Sequence, residues 1–175
     1  MLSVKNLIDT YSLTADDITQ ILDTAASFES VNNRAIKKVP ALRGRTIVNL
    51  FLEPSTRTKS SFELAEKRLS ADSLSMGGST SSVVKGESLA DTIQTISAMN
   101  VDMFVCRAKL AGTPQRITEN TDAVVINAGD GKHQHPTQAM LDLYTIRKNF
   151  GHLDGLKVAI VGDLAHSRVC GSLAP

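Results

Sequence analysis

The 175-residue chain has no apolar run reaching the ~18 residues that a membrane-spanning helix requires. Its first ten residues, MLSVKNLIDT, lack the basic start and long apolar stretch of a secretory leader. Charge of one sign is missing too. Nineteen Lys and Arg against 18 Asp and Glu leave a net charge of +1, so composition carries no nucleic-acid footprint. The only cysteines are Cys106 and Cys170. Two are too few for a disulfide framework and fit free thiols in a cytoplasmic protein. There are no internal repeats and no low-complexity tract. What is there is ordinary: 42% hydrophobic and 21% charged residues exclude a collagen-like or wholly disordered chain.

Apolar patterning alternates between two periods. Thr14 to Asp17 reads as a capping box opening a helix with Ile18, Ile21, Leu22, Ala25 and Ala26 on one face. Residues 45–53 are β-rich and almost continuously apolar, as a strand buried on both faces should be. Helical spacing follows over 56–69 (Phe62, Ala65, Leu69), then a weaker strand at 73–76 and a Gly/Ser-rich loop at 77–86. A capped helix is expected over 88–99, strands over 101–107 and 123–128, and a short helix over 114–119. Pro136 opens a helix to about 149 whose core face is Ala139, Leu143 and Ile146. Residues 149–155 read as a linker, and 157–163 (KVAIVGD) as a further strand. The alternation predicts an α/β fold: a parallel sheet flanked by helices on both faces. Ligands of such sheets bind where strands end and helices begin, so those turns are where chemistry belongs.

Four turns carry candidate residues. After the first strand come Glu53-Pro54-Ser55-Thr56-Arg57-Thr58, three hydroxyls and a guanidinium at a helix N-terminus. That set suits a phosphate, although Ser and Thr also serve there as plain helix caps. Ser81 and Lys85 lie in the Gly/Ser loop, which is either a lid over an anion or a solvated loop. Arg107 ends an apolar strand, placed either to reach a ligand or to meet solvent at the sheet edge. Residues 127–138 bring His135 and Gln138 to the start of a helix, where an imidazole could polarise a carbonyl and an amide could bind an amide. The alternatives are a ligand-free polar cap, or a metal held by Asp130, His133 and His135, a set that no Cys or Glu completes. No G-x-G-x-x-G follows Val161-Gly162-Asp163, so a dinucleotide site is unsupported. Neither cysteine has a general base beside it in sequence, and Cys106 reads as core.

Taken in order, the four motifs resemble the carbamoyltransferase family: Phe-x-Glu-x-Ser-Thr-Arg-Thr, Ser-x-x-x-Lys-Gly-Glu-Ser, strand-Arg and His-Pro-Thr-Gln. The Lys-Gly-Glu loop and Thr137 look like the aspartate rather than the ornithine branch. The resemblance runs from near residue 1 to about 172. It implies that Ser55, Thr56, Arg57 and Thr58 hold a phosphate and that Arg107 bridges phosphate and carbonyl oxygens. It likewise implies that His135 polarises the carbamoyl carbonyl, Gln138 binds the carbamoyl amide and Arg168 contacts an aspartate carboxylate. Glu53 would hold the arginine side chains in place. Ser81 and Lys85 would enter the site of a neighbouring subunit in a homotrimer. The implied partners are carbamoyl phosphate and L-aspartate, with regulatory or other pathway subunits left open, and the implied reaction needs no metal and no cofactor.

Residues 1–150 then correspond to a carbamoyl-phosphate domain and 151–175 to the start of an aspartate domain. Lys59 stands where many members carry arginine, one step beyond the phosphate cradle. Family members continue for a second domain, so this length is expected to bind carbamoyl phosphate at best and to turn over aspartate poorly. A non-catalytic binding or assembly subunit, and a transferase for another amine such as ornithine, are the rival readings.

Overall fold

A computed structural model describes residues 1–77 and 88–175. Helix α1 (Ala15–Glu29) starts at Thr14, whose hydroxyl accepts from the Asp17 backbone while the Asp17 carboxylate reaches back to Thr14. Ser3 adds two more hydrogen bonds to that carboxylate, and together these donors hold it well below the usual carboxylate range. Strand β1 (Thr46–Phe51) leads into α2 (Thr56–Leu69), β2 (Asp72–Gly77) and α3 (Leu89–Ser97). Then come β3 (Met103–Ala108), α4 (Thr113–Thr118), β4 (Val124–Asp130), α5 (Pro136–Phe150) and the short α6 (Arg168–Leu173).

Among the described residues the strands form one parallel sheet in the order β2-β1-β3-β4. Side chains alternate across it, which builds two cores. Val48, Leu50, Phe104, Cys106 and Val125 pack with Ile93 and Ile96 of α3 and Ile117 of α4 on one face. Ile47, Phe51, Val105 and Ala128 lie on the other, against Phe62 of α2. Burial pushes the Cys106 thiol up to about 12, with Asp130 adding to the effect, so the core reading of this cysteine holds. Leu7 bridges to Ile126 and covers the outer edge of β4. β2, at the opposite edge, leaves Leu74 45% exposed. This is why its pattern is the weakest of the four.

The expected strand at 157–163 is absent. Val158 is 59% and Val161 94% exposed, and no described strand lies alongside. A single extended segment leaves its own N–H and C=O groups unpaired, so apolar β-rich sequence does not make a strand without a neighbour. Two expected helix faces also shift. Ala25 and Ala26 are exposed, and the most buried residue of α2 is Glu66, whose Oε2 accepts from Asn49 Nδ2 of β1 at 2.8 Å.

Candidate active site

The carboxyl ends of β1, β3 and β4 converge on a cavity of about 780 Å³. Its lining includes Ser55, Arg57, Thr58, Arg107, His135, Thr137, Gln138 and Arg168. Ser81 and Lys85 lie outside the described residues. Thr56, exposed, follows Ser55 into the first turn of α2. The N-cap Ser55 makes no side-chain cap bond, whereas Thr14, Ser88 and Ser167 all cap their helices. The first-turn N–H groups of α2 therefore lack a side-chain cap at the cavity wall, a setting that favours an anion.

A β-bulge aims Arg107. Cys106 pairs with Asn127 and Ala108 with Asp130, so two steps along β3 match three along β4. Opposite the bulge, Arg107 Nη1 donates to Ala128 O at 3.2 Å and Nη2 to Glu53 Oε1 at 3.4 Å, while the buried Nε has no partner among the described residues. Arg168 comes in from α6 and grips the same carboxylate through two bonds, Nη1 to Oε2 at 3.0 Å and Nη2 to Oε1 at 3.2 Å. Burial works against ionisation of Glu53, but Arg168 and Arg107 outweigh it and hold the carboxyl below its ordinary range. For Arg107 burial dominates, lowering its pKa against the opposing pull of Glu53. Gly129 makes room for both guanidiniums: at φ +112° its position would put a Cβ 2.8 Å from Arg168 Nη1 and 3.0 Å from Arg107 Nη1.

His135 is buried at the N-cap of α5, with Pro136 next. Burial, then the positive charges of Arg107 and Arg168, lower its pKa to about 4. The ring is therefore neutral at pH 7. Its Nδ1 lies 3.3 Å from the Thr137 hydroxyl. With Nδ1 accepting from Thr137, the ring proton sits on Nε2, free to donate. Gln138 Nε2 donates to Asp142 Oδ1 at 3.0 Å, which leaves its second N–H and its amide oxygen uncommitted among the described residues.

Comparison with known proteins decides the family. A model described as aspartate/ornithine carbamoyltransferase, carbamoyl-P binding domain, matches residues 5–148. The chain belongs to the aspartate/ornithine carbamoyltransferase family. It is 55% identical over 168 residues to the aspartate carbamoyltransferase catalytic subunit of Syntrophotalea carbinolica, covering 96% of this chain and 54% of that protein. Its fold matches the catalytic subunit of M. jannaschii aspartate transcarbamoylase with a TM-score of 0.89 at 43% identity, over 98% of this chain and 56% of that one. Aspartate transcarbamoylase from Trypanosoma cruzi, in complex with carbamoyl phosphate and aspartate, gives 0.92 at 33% identity, over 99% and 54%. The chain spans about half the length of the curated relatives it matches.

Within this carbamoyltransferase fold, the metal reading of Asp130, His133 and His135 gives way to loop closure. Asp130 accepts from Gln134 N, Asn127 Nδ2 and Gly112 N, and His133 Nδ1 lies 3.1 Å from it, on the half-exposed outer side of the loop. Among the described residues no three His, Cys, Asp or Glu side chains cluster as metal ligands. No helix among them is long and apolar enough to cross a membrane. Three buried polar residues escape a reading of the sequence: Thr10, Gln134 and Ser172. Thr10 meets the other two across more than 120 residues of chain, and Gln134 meets Ser172 across 38, so no local pattern marks them. The Gly129-Asp130-Gly131 run was the visible trace of a turn pressed against the arginines.

Proposed function

We propose that this cavity binds carbamoyl phosphate and, in a chain of the relatives' length, transfers the carbamoyl group to the amine of L-aspartate. The products are N-carbamoyl-L-aspartate and phosphate, the entry to pyrimidine synthesis. One observation carries the reading. A buried imidazole, neutral at pH 7, faces a cavity shared with Arg107 and with the hydroxyl-rich, uncapped start of α2.

In this scheme Ser55, Thr56, Arg57 and Thr58 hold the phosphate, with Arg57 as a bidentate donor. Arg107 lies between phosphate and carbonyl. His135 donates from Nε2 to the carbonyl oxygen, and Gln138 accepts from the carbamoyl amide. The amine nitrogen forms the new C–N bond, the C–O bond to phosphate breaks, and phosphate departs with the amine proton. Stabilised charge on the carbonyl oxygen and positioning of two anions do the work, without a covalent enzyme intermediate, a metal or a cofactor. Arg168 would turn one face to an aspartate carboxylate. The proposal extends to a cytoplasmic homotrimer in which Ser81 and Lys85 serve a neighbouring subunit. In this division residues 1–150 form the carbamoyl-phosphate domain and 151–175 open the aspartate domain.

Calorimetric titration of the chain with carbamoyl phosphate tests the binding step. Arg57→Ala should weaken affinity by about tenfold or more, since a charged hydrogen bond is worth ~1.5–3 kcal/mol. Equal affinity in the variant would remove the phosphate cradle from the scheme.

A further inference from the structure

Two groups lining the cavity, the His135 ring and the Gln138 amide, can each be presented in two ways. An imidazole carries its proton on either nitrogen, and a primary amide offers either its oxygen or its N–H groups. Both choices are made by neighbours on α5. Thr137, the second residue of that helix, holds its hydroxyl 3.3 Å from His135 Nδ1. Among the described residues the hydroxyl has no other partner, so this ring nitrogen is the one protein acceptor for its proton. Donation there leaves the ring proton on Nε2. On the next turn, half-buried Asp142 accepts from Gln138 Nε2 at 3.0 Å. An ionised carboxylate only accepts, so it takes the nitrogen end of the amide and turns Oε1 away from itself. Gln138 lines the cavity and Asp142 does not. Neither His135 Nε2 nor Gln138 Oε1 is a buried atom lacking a partner, so each stays open to solvent on a residue of the cavity wall.

We propose that Thr137 and Asp142 are positioning residues that fix the hydrogen-bonding polarity of this part of the site, with a donor at His135 Nε2 and an acceptor at Gln138 Oε1. That polarity selects an acyl phosphate whose carbonyl carries an NH₂ group. An isosteric acyl phosphate with a methyl in that place still meets the histidine, but leaves the Gln138 oxygen without a donor. The ligand in this scheme rests on the proposed function, whereas the ring tautomer and the amide orientation do not.

Thr137→Val keeps the shape and removes the hydroxyl, and Thr137→Ser keeps the hydroxyl. Asp142→Asn keeps the shape but admits either end of the Gln138 amide. Thr145→Val, which removes an exposed hydroxyl from the same helix, is the control. Three readouts are taken: the His135 ring ¹⁵N shifts, which separate a protonated from a bare nitrogen; the Gln138 side-chain amide proton shifts; and calorimetric affinities for carbamoyl and acetyl phosphate. At pH 7 the unmodified chain should show Nε2 protonated, Nδ1 bare, and one Gln138 amide proton moved downfield by the carboxylate. Thr137→Val should mix the tautomers and weaken both ligands alike, since both bear the carbonyl, and Thr137→Ser should restore the single tautomer. Asp142→Asn should remove the downfield amide signal and cut the preference for carbamoyl over acetyl phosphate about tenfold. The control should change none of the three. A wild-type ring protonated on Nδ1 overturns the role of Thr137 even if its variants do not fold, as does a folded Thr137→Val with unmoved ring shifts or a Thr137→Ser ring that matches it. An unmoved amide signal or an unmoved preference in Asp142→Asn overturns the role of Asp142. If the unmodified chain binds neither ligand while both NMR readouts behave as expected, the positioning roles stand and the carbamoyl-phosphate reading falls.

Discussion

Lowering the pH should expose the strain of holding His135 neutral. In the unfolded chain the ring takes up a proton near 6.5, whereas in the fold it does so near 4. Burial is the first cause, and the positive charges of Arg107 and Arg168 are the next. Above pH 6.5 both states are neutral and the residue makes no pH-dependent contribution. Between 6.5 and 4 the unfolded chain binds the proton and the folded chain does not, so stability falls as pH falls through this window. Below 4 the penalty is complete. A gap of about 2.5 pH units corresponds to ~3.4 kcal/mol in full, of which ~3 kcal/mol is reached at pH 4. Other titrating groups, Glu53 and Asp17 among them, are common to wild type and variant and cancel in the difference. Urea unfolding of wild type and His135→Gln at pH 7.5, 5.5 and 4 should therefore show the variant gaining up to ~3 kcal/mol on wild type toward low pH. An NMR titration of the ring should place its midpoint near 4, and saturating phosphate should move it upward by partly neutralising the two guanidiniums. A free-chain midpoint near 6.5, or parallel stability profiles, would refute the reasoning and with it the neutral donor.

Three further outcomes follow from the same geometry. Glu53→Gln leaves two largely buried guanidiniums without their shared carboxylate. Its side chain and its partners are 14–19% exposed, so the cost should fall somewhat below that of a fully buried pair, at ~2–3 kcal/mol by urea unfolding. Ser55→Ala should change stability by less than ~0.5 kcal/mol, because that hydroxyl caps nothing, while Ser88→Ala should cost about 1 kcal/mol. A comparable loss from both would make Ser55 a plain cap. Gly129→Ala demands a left-handed backbone of a residue with a Cβ and crowds both guanidiniums, so ~1–3 kcal/mol of stability should go, together with phosphate affinity. Unchanged thermal unfolding and phosphate titration would contradict it.

Much of the fold was legible because the apolar runs of β1, β3 and β4 are buried on both faces, and such runs announce themselves. Pro136 and the hydroxyl run at 55–58 fixed two helix starts to the residue. Pairing could not be read. KVAIVGD has strand composition and finds no strand neighbour among the described residues, so it stays irregular and exposed. Glu66 defeated the amphipathic reading of α2 because its partner, Asn49, sits in a strand whose polar position looked incidental. At the site, Ser55, Arg57, Thr58, Arg107, His135, Gln138 and Arg168 share one cavity, each lying at a strand end or helix start where ligands of parallel sheets bind. The supports around them, Gln134 with Thr10 and Ser172, are ordinary polar residues whose meaning exists only once distant segments meet.

The most direct measurement is the carbonyl resonance of ¹³C-labelled carbamoyl phosphate bound to this chain. A neutral His135 donating to the carbonyl oxygen polarises it, so the bound signal should move downfield of the free one in wild type. The shift should be lost in His135→Ala variants that still bind through the α2 cradle. A bound carbonyl with the same shift in both proteins, or no bound signal at ligand excess, would contradict the assignment of this cavity.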